Sequence, residues 1–318
     1  MTSAPSSMML YRLSYWLERS LIMLLPVRLY ASFAACEGGG NIAGVVYDEV
    51  ALEVDRMRRI ATNLGAPTTG FVRRESLRDY IVRFFSSCGE MAMCGHVTVA
   101  IFACLADDGL ISVNGSFYRQ RTAAGEISVE VSEHNGRPQV VMHQPLPKFD
   151  SIQLDGVTLV GPLGLDPQKV LSFASVSAAL NHFFLEVLDE ETLGTIRTDD
   201  KELRLISKRH GIDTVGVWCR KGILTQRAVV RLRDFCHGVG DPEEAASGTT
   251  NAALACLLWR TGALPRFWEG CAEVEAEQGY EMGRPSRICT FLKVRHGLIS
   301  GIAVGGTASR KLSGQFEP

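Results

Sequence analysis

The 318-residue sequence has no CxxC pair, no cluster of histidines and no excess of charge. It also has no uninterrupted apolar run of the roughly 20 residues a membrane span needs. Each absence removes a class of protein. Nine cysteines without paired spacing read neither as a disulfide framework nor as a closed zinc site. Cys104, Cys256 and Cys289 sit inside apolar runs, where a free thiol behaves as a small hydrophobe. That usage points to a reducing, cytoplasmic setting. Thirty-three Lys and Arg against 35 Asp and Glu leave a formal charge of −2, without the basic stripe that a nucleic-acid partner demands. The segment 8–30 is the most membrane-like, but Arg12, Glu18 and Arg19 interrupt it and Pro26 and Arg28 end it. We read 1–27 as an amphipathic extension that docks on the body or on a partner subunit, as in a homodimer. It is neither a span nor a signal peptide cleaved within SFAAC at 32–36.

What is present is an ordinary globular composition, 46% hydrophobic and 21% charged, long enough for about two domains. Apolar stretches at 27–35 and 42–48 flank a glycine cluster and predict a hairpin. Helical spacing over 52–64 stops at Gly65, strands follow at 69–72 and 80–85, and 96–105 reads as a buried helix. Asn114-Gly115 and Asn135-Gly136 then mark turns among short strands. The second half repeats the order: a strand at 182–188, a helix at 200–210, and strands at 214–220 and 224–235. A Gly-rich turn leads into an apolar helix at 250–262, and strands at 288–294 and 297–304 close the chain. The repeat predicts two similar α+β domains whose long helices start at a central cleft.

Those two helix starts carry the chemistry-bearing residues. Cys94-Gly95-His96 opens the first, where free backbone N–H groups and the positive end of the dipole suit an anion and lower a thiol's pKa. Glu243-Glu244 and Ser247-Gly248-Thr249 open the second. Each turn alone also reads as plain structure: a small buried residue beside a core histidine, or a Ser cap preceded by acids. Their equivalent placement in the two halves points to a cleft with one acid–base group on each side.

The motifs in order, GNIAGVV (40–46), CGHVT (94–98), EEAASGTT (243–250), QGYEMGRPS (278–286) and AVGG (303–306), resemble the phenazine-biosynthesis PhzF-like family. That family lies within the superfamily of diaminopimelate epimerase and proline racemase. The resemblance implies an α+β fold of two pseudo-symmetric domains, each a barrel-like, mostly antiparallel sheet around a central helix. The domains would span 28–150, completed by the last strand at 297–310, and 151–296. It implies no metal and no organic cofactor. Its chemistry is proton transfer on a small carboxylic or amino acid, with no nucleic-acid or membrane partner.

Two departures from the family stand out. Thr68 occupies the place of the family's general acid–base glutamate, and a hydroxyl cannot shuttle protons near neutral pH. Glu244 stands where an aspartate is usual; Asp241 would break the spacing to Gly248. Against the superfamily's two-thiol racemases, the paired positions hold Cys94 and Ser247, so one thiol is present. The resemblance then implies Cys94, His96 and Glu244 as catalytic groups, with Asn41, Thr68, Thr69, Gly95, Ser247, Gly248 and Thr249 holding the substrate. The expected activity is a cofactor-independent isomerase that shifts a proton and double bond in a small unsaturated or cyclic amino acid. The expected setting is antibiotic biosynthesis of the propyl-proline or pyrroline kind. The alternatives are a proline-type racemase, epimerase or dehydratase using Cys94, and a binding relative without catalysis.

Overall fold

The structure, a computed structural model, describes residues 24–317 except 88, 179, 225 and 226. Strand β1 (Leu25–Ser32) and β2 (Asn41–Tyr47) form the expected antiparallel hairpin. Helix α1 (Val54–Leu64) then carries the chain to β3 (Thr68–Arg74), parallel to β2, and β4 (Asp79–Ser86) returns antiparallel. After the short β5 (Gly89–Met91) comes α2 (Gly95–Asp107). Strand β6 (Asn114–Thr122) lies parallel to β4, and β7 (Gly125–His134) and β8 (Arg137–Gln144) complete a meander.

The second half starts with β9 (Lys148–Phe149), a single turn α3 (Val157–Val160), β10 (Val170–Ser177) and β11 (Asn181–Val187). It continues through α4 (Glu190–Thr195), α5 (Asp200–His210), β12 (Thr214–Leu224) and β13 (Arg227–Phe235). Helix α6 (Gly248–Thr261), β14 (Gly270–Gln278), β15 (Ser286–Arg295) and β16 (Leu298–Phe316) finish it. From β10 onward the pairings run antiparallel, parallel, antiparallel, parallel, antiparallel, antiparallel, the same order as from β1 to β8. The repeat is therefore one of topology, with α2 and α6 in equivalent places.

Strand β16 joins the halves. It pairs β15, then β8 over Ile302–Thr307, and finally β1 from Ala308 to Phe316. The last pairing closes β1, β2, β3, β4, β6, β7, β8 and β16 into an eight-stranded barrel, and the remaining strands extend from β16 through β15 to β9. β16 runs beyond the expected 297–310, and β1 begins inside the segment assigned to the extension. Residues 1–23 of that extension lie outside the described residues.

Helix α2 is buried at every position from Gly95 to Leu105, as a helix apolar all round must be. Gly70 of β3 permits this: a Cβ there would sit 2.6 Å from both Val97 Cγ1 and Ile101 Cδ1. Helix α1 is amphipathic instead and packs Met57, Ile60 and Ala61 with Phe71 and Phe85 outside the barrel. Strands β10 and β14 are not legible in sequence. In β14 the glutamates at 273, 275 and 277 contradict strand propensity, and cross-strand ion pairs to Arg227, Arg231 and Arg287 compensate. The eight described cysteines are free, and no described helix is long and apolar enough to cross a membrane.

Candidate active site

Helices α2 and α6 meet at their N-termini. A Cβ built on Gly95 would lie 3.9 Å from both the N and the Cα of Gly248. Beneath them Met142 of β8 and Val304 of β16 are direct cross-strand partners. Met142 Cε would be 3.4 Å from the Gly95 Cβ, and Val304 Cγ1 3.2 Å from a Cβ on Gly248. Two helix dipoles and two sets of free N–H groups thus point at one place, which suits a carboxylate. The capping residues differ. Ser247 is extended (φ −126°, ψ 112°) and its Oγ accepts the Thr250 N–H at 3.4 Å. Cys94 is also extended (φ −144°, ψ 115°) but makes no side-chain cap, and its Sγ lies 3.4 Å from His96 Nδ1.

Three elements converge on that imidazole. Glu244 Oε1 is 3.3 Å from His96 Nδ1, and Asn41 Nδ2, at the start of β2, is also 3.3 Å away. Asn41 Nδ2 further donates to Glu244 Oε1 at 3.1 Å and to Ala246 O at 3.2 Å. An amide has two N–H protons, and these two acceptors use both. His96 Nδ1 therefore carries its own proton and donates it to Glu244 or Cys94, while Nε2 is buried without a partner. Burial by itself opposes a charge on His96, but the Cys94 sulfur and the Glu244 carboxylate outweigh it and raise the imidazole to about 10. Accessibility is graded: the Glu244 side chain is 27% exposed and that of His96 3%.

The acidic loop is fastened on both sides. Glu243 makes a two-pronged pair with Arg233 at 2.8 Å, and Arg233 also donates to Leu193 O. Glu244 donates its N–H to Asp234 O at 2.9 Å and accepts at its carbonyl from Gln278 Nε2 at 2.7 Å. Gln278 Oε1 accepts from Ser247 N and Asn251 Nδ2. Gly279 follows at φ +77°, and a Cβ there would come within 2.6 Å of Ala245 O. Pro285, later in the same turn, accepts from the amides of Ala35 and Gly40. The 278–286 turn thus positions both the loop that carries Glu244 and the loop that carries Asn41.

Cys94, His96, Asn41, Glu244, Gly95 and Gly248 are brought together, and Ser247 and Thr249 lie beside them with their hydroxyl oxygens 3.3 Å apart. The two threonines of β3 differ from one another. Thr68 donates to Met91 Sδ at 3.8 Å. Thr69 is fully buried, and its hydroxyl faces Gly44 without a hydrogen-bond partner. Sequence reasoning missed Asp234, His182, Thr214 and Thr250. Asp234 Oδ2 accepts from Thr250 Oγ1 at 2.6 Å, and His182 Nδ1 lies 2.8 Å from Thr214 Oγ1 and 3.4 Å from Thr250 Oγ1. A lone acid ending the apolar strand 224–235 and a histidine opening 182–188 were the available signals.

Two groups of candidate metal donors occur among the described residues, Asp234/Cys236/Glu244 and Glu273/Glu275/Cys289. In the first, burial holds the Cys236 thiol well above its usual pKa, and it donates to Asp234 O, so it offers no thiolate. In the second, arginines already neutralise the carboxylates.

A family model described as phenazine biosynthesis-like protein (PhzC-PhzF) matches residues 30–314. An uncharacterized isomerase of Deinococcus radiodurans is 32% identical over 290 residues, covering 89% of this chain and 92% of the relative. The trans-2,3-dihydro-3-hydroxyanthranilate isomerase of Pseudomonas chlororaphis is 26% identical over 277 residues, covering 86% and 93%. Among solved structures, a PhzF-family phenazine biosynthesis protein of Bacillus anthracis superposes with a TM-score of 0.81 at 21% identity, covering 92% and 99% of the two chains. A probable proline racemase of Agrobacterium radiobacter gives 0.59 at 13% identity, covering 92% of each chain. The epimerase-like fold read from the motifs is the fold observed.

Proposed function

The chain belongs to the phenazine biosynthesis-like protein family and is an isomerase, and from that premise we propose that it moves a proton, and with it a double bond, within a small unsaturated or cyclic amino acid. The observation that carries this reading is the 3.3 Å approach of Glu244, from the second half, to His96, from the first, over the two abutting helix starts. The substrate carboxylate binds at those starts, against the amides of Gly95, Gly248 and Thr249, which also stabilise the enolate-like charge that develops on deprotonation. Glu244 is the partly exposed acid–base group and takes the proton. His96 lies behind it with Nδ1 facing Glu244 Oε1 and compensates the charge. Thr68 cannot replace an acid on the other side, and the Ser247 hydroxyl is occupied in capping α6. This asymmetry favours a proton shift over a symmetrical two-base racemisation.

The name of the Pseudomonas relative, an isomerase of a partly unsaturated cyclic amino acid, supports that substrate class. A place in specialised biosynthesis, with a proline- or pyrroline-like building block as substrate, is part of the same proposal. A second reading makes Cys94 the base of a proline-type racemase, epimerase or dehydratase, because its sulfur lies 3.4 Å from His96 Nδ1.

Incubation of trans-2,3-dihydro-3-hydroxyanthranilate, proline and pyrroline carboxylates in heavy water tests both readings. We expect solvent deuterium at a carbon of at least one acid, a rate lowered about 10²–10⁴-fold by Glu244→Gln, and exchange retained by Cys94→Ser. Loss in Cys94→Ser with retention in Glu244→Gln transfers the work to the thiol. Binding of such acids without any exchange would overturn the enzymatic reading.

A further inference from the structure

Directly behind Glu244 lies a second carboxyl group. The Asp234 backbone carbonyl accepts the Glu244 N–H, and an Asp234 carboxylate oxygen, a Glu244 carboxylate oxygen and Cys236 Sγ all lie within 4.8 Å of one another. Asp234 is completely buried. Its Oδ2 accepts one short hydrogen bond, from Thr250 Oγ1, and its Oδ1 is buried without a partner.

Among the described residues no cation forms an ion pair with Asp234. The titratable groups around it are Glu244 and Asp241 from the loop before α6, Cys236 from the end of β13, and His182 of β11 through Thr250. Burial keeps His182 neutral, pushing it down to about 3. Arg233, adjacent in sequence, is spent on Glu243 and on the Leu193 carbonyl. Across the site His96 serves Glu244.

We propose that Asp234 and Glu244 work as one carboxyl pair holding a single shared proton, with Asp234, which does not reach the cleft, as the positioning residue that sets how readily Glu244 gains and loses protons. The inference rests on Glu244 being the group that handles the substrate proton. Two carboxylates at this separation, one of them desolvated, cannot both ionise cheaply. Burial first, and then the Glu244 charge, raise Asp234 to about 7, which agrees with the geometry. On deprotonating substrate the pair passes from one proton and one negative charge to two protons and none. Returning one proton to another carbon of the substrate restores it.

The test needs no substrate. Protein labelled with ¹³C at the aspartate carboxyls is titrated by NMR, with EDTA present, as wild type, Asp234→Asn and Glu244→Gln. One aspartate is expected to titrate near neutrality in the wild type and to vanish in Asp234→Asn. In Glu244→Gln its midpoint is expected to fall by on the order of one to two pH units, the Coulombic effect of removing a charge within 4.8 Å. A wild type with no aspartate titrating near neutrality, or a midpoint unmoved by Glu244→Gln, overturns the pair. Burial and the Glu244 charge raise Asp241 as well, so should Asp234→Asn fail to fold, Asp241→Asn decides: the near-neutral signal persists if it belongs to Asp234 and is lost if it does not. If the titration moves as expected while deuterium exchange is unaffected by Glu244→Gln, the pair stands and the assignment of Glu244 as base falls. Where exchange does depend on Glu244, Asp234→Asn is expected to remove a limb near neutrality from its pH profile, which loss of a purely structural contact would not do.

Discussion

At the scale of single residues, two buried groups on either side of Thr250 depart from their usual proton affinities in opposite directions. His182 is held neutral in the fold, down to about 3 from 6.5, so on acidification the unfolded chain gains a proton that the fold refuses. Its contribution to stability is present above about 6.5 and is lost as pH falls toward 3. Asp234 is raised to about 7 from 3.8, so the fold binds a proton that the unfolded chain releases, and stability falls as pH rises between those values. The two slopes, each at most about 1.4 kcal/mol per pH unit, oppose one another between roughly pH 4 and 6.5. Asp234→Asn is therefore expected to lose stability more steeply on acidification than the wild type. His182→Phe is expected to gain stability between pH 7 and 4. Denaturant melts across that range check both, and parallel pH curves for all three proteins would contradict the assignment of the two groups.

At the scale of elements, the two long helices depend on what the sheet allows at their flanks and on how they start. Gly70 leaves no room for a side chain beneath α2, so Gly70→Val forces Val97 and Ile101 aside. Overpacking of this kind costs about 1–3 kcal/mol and is measured as a lowered Tm. Ser247→Ala removes the side-chain acceptor for the Thr250 amide, and a loss of about 1 kcal/mol is expected. Cys94 caps nothing through its side chain. Cys94→Ala therefore has no such cost, and equal destabilisation of the two helix starts would contradict the distinction between a structural cap and a sulfur free for chemistry.

At the scale of the whole molecule, the barrel is closed by the far end of β16. Residues from Ala308 to Phe316 pair with β1, and Arg310 reaches Tyr30 and Asp108 at 2.8 and 2.7 Å, neutralising acids at the unfavourable C-terminal end of α2. Deleting 308–318 leaves β1 paired only to β2. The expected result is fast amide hydrogen exchange along Leu25–Ser32, with protection of β11 to β13 largely kept. Uniform loss of protection across both halves would show that the closure supports the entire sheet.

Local pattern made much of this protein legible. The turns at 94–96 and 247–249 and the buried helices after them follow from residue order alone, because helix starts and burial leave periodic and positional marks. The motif order, read as a family resemblance, led to the fold. The acidic strand β14 escaped because its propensity is overridden by arginines on neighbouring strands. The roles within the site escaped for the same kind of reason. Asn41 and Glu244 stand 203 residues apart, and only the folded chain places both on His96. Nor does sequence separate Glu244, partly open to the cleft, from Asp234, sealed behind it. A carboxyl group's proton affinity is set by its distance from water and from other charges, and tertiary structure alone fixes those distances.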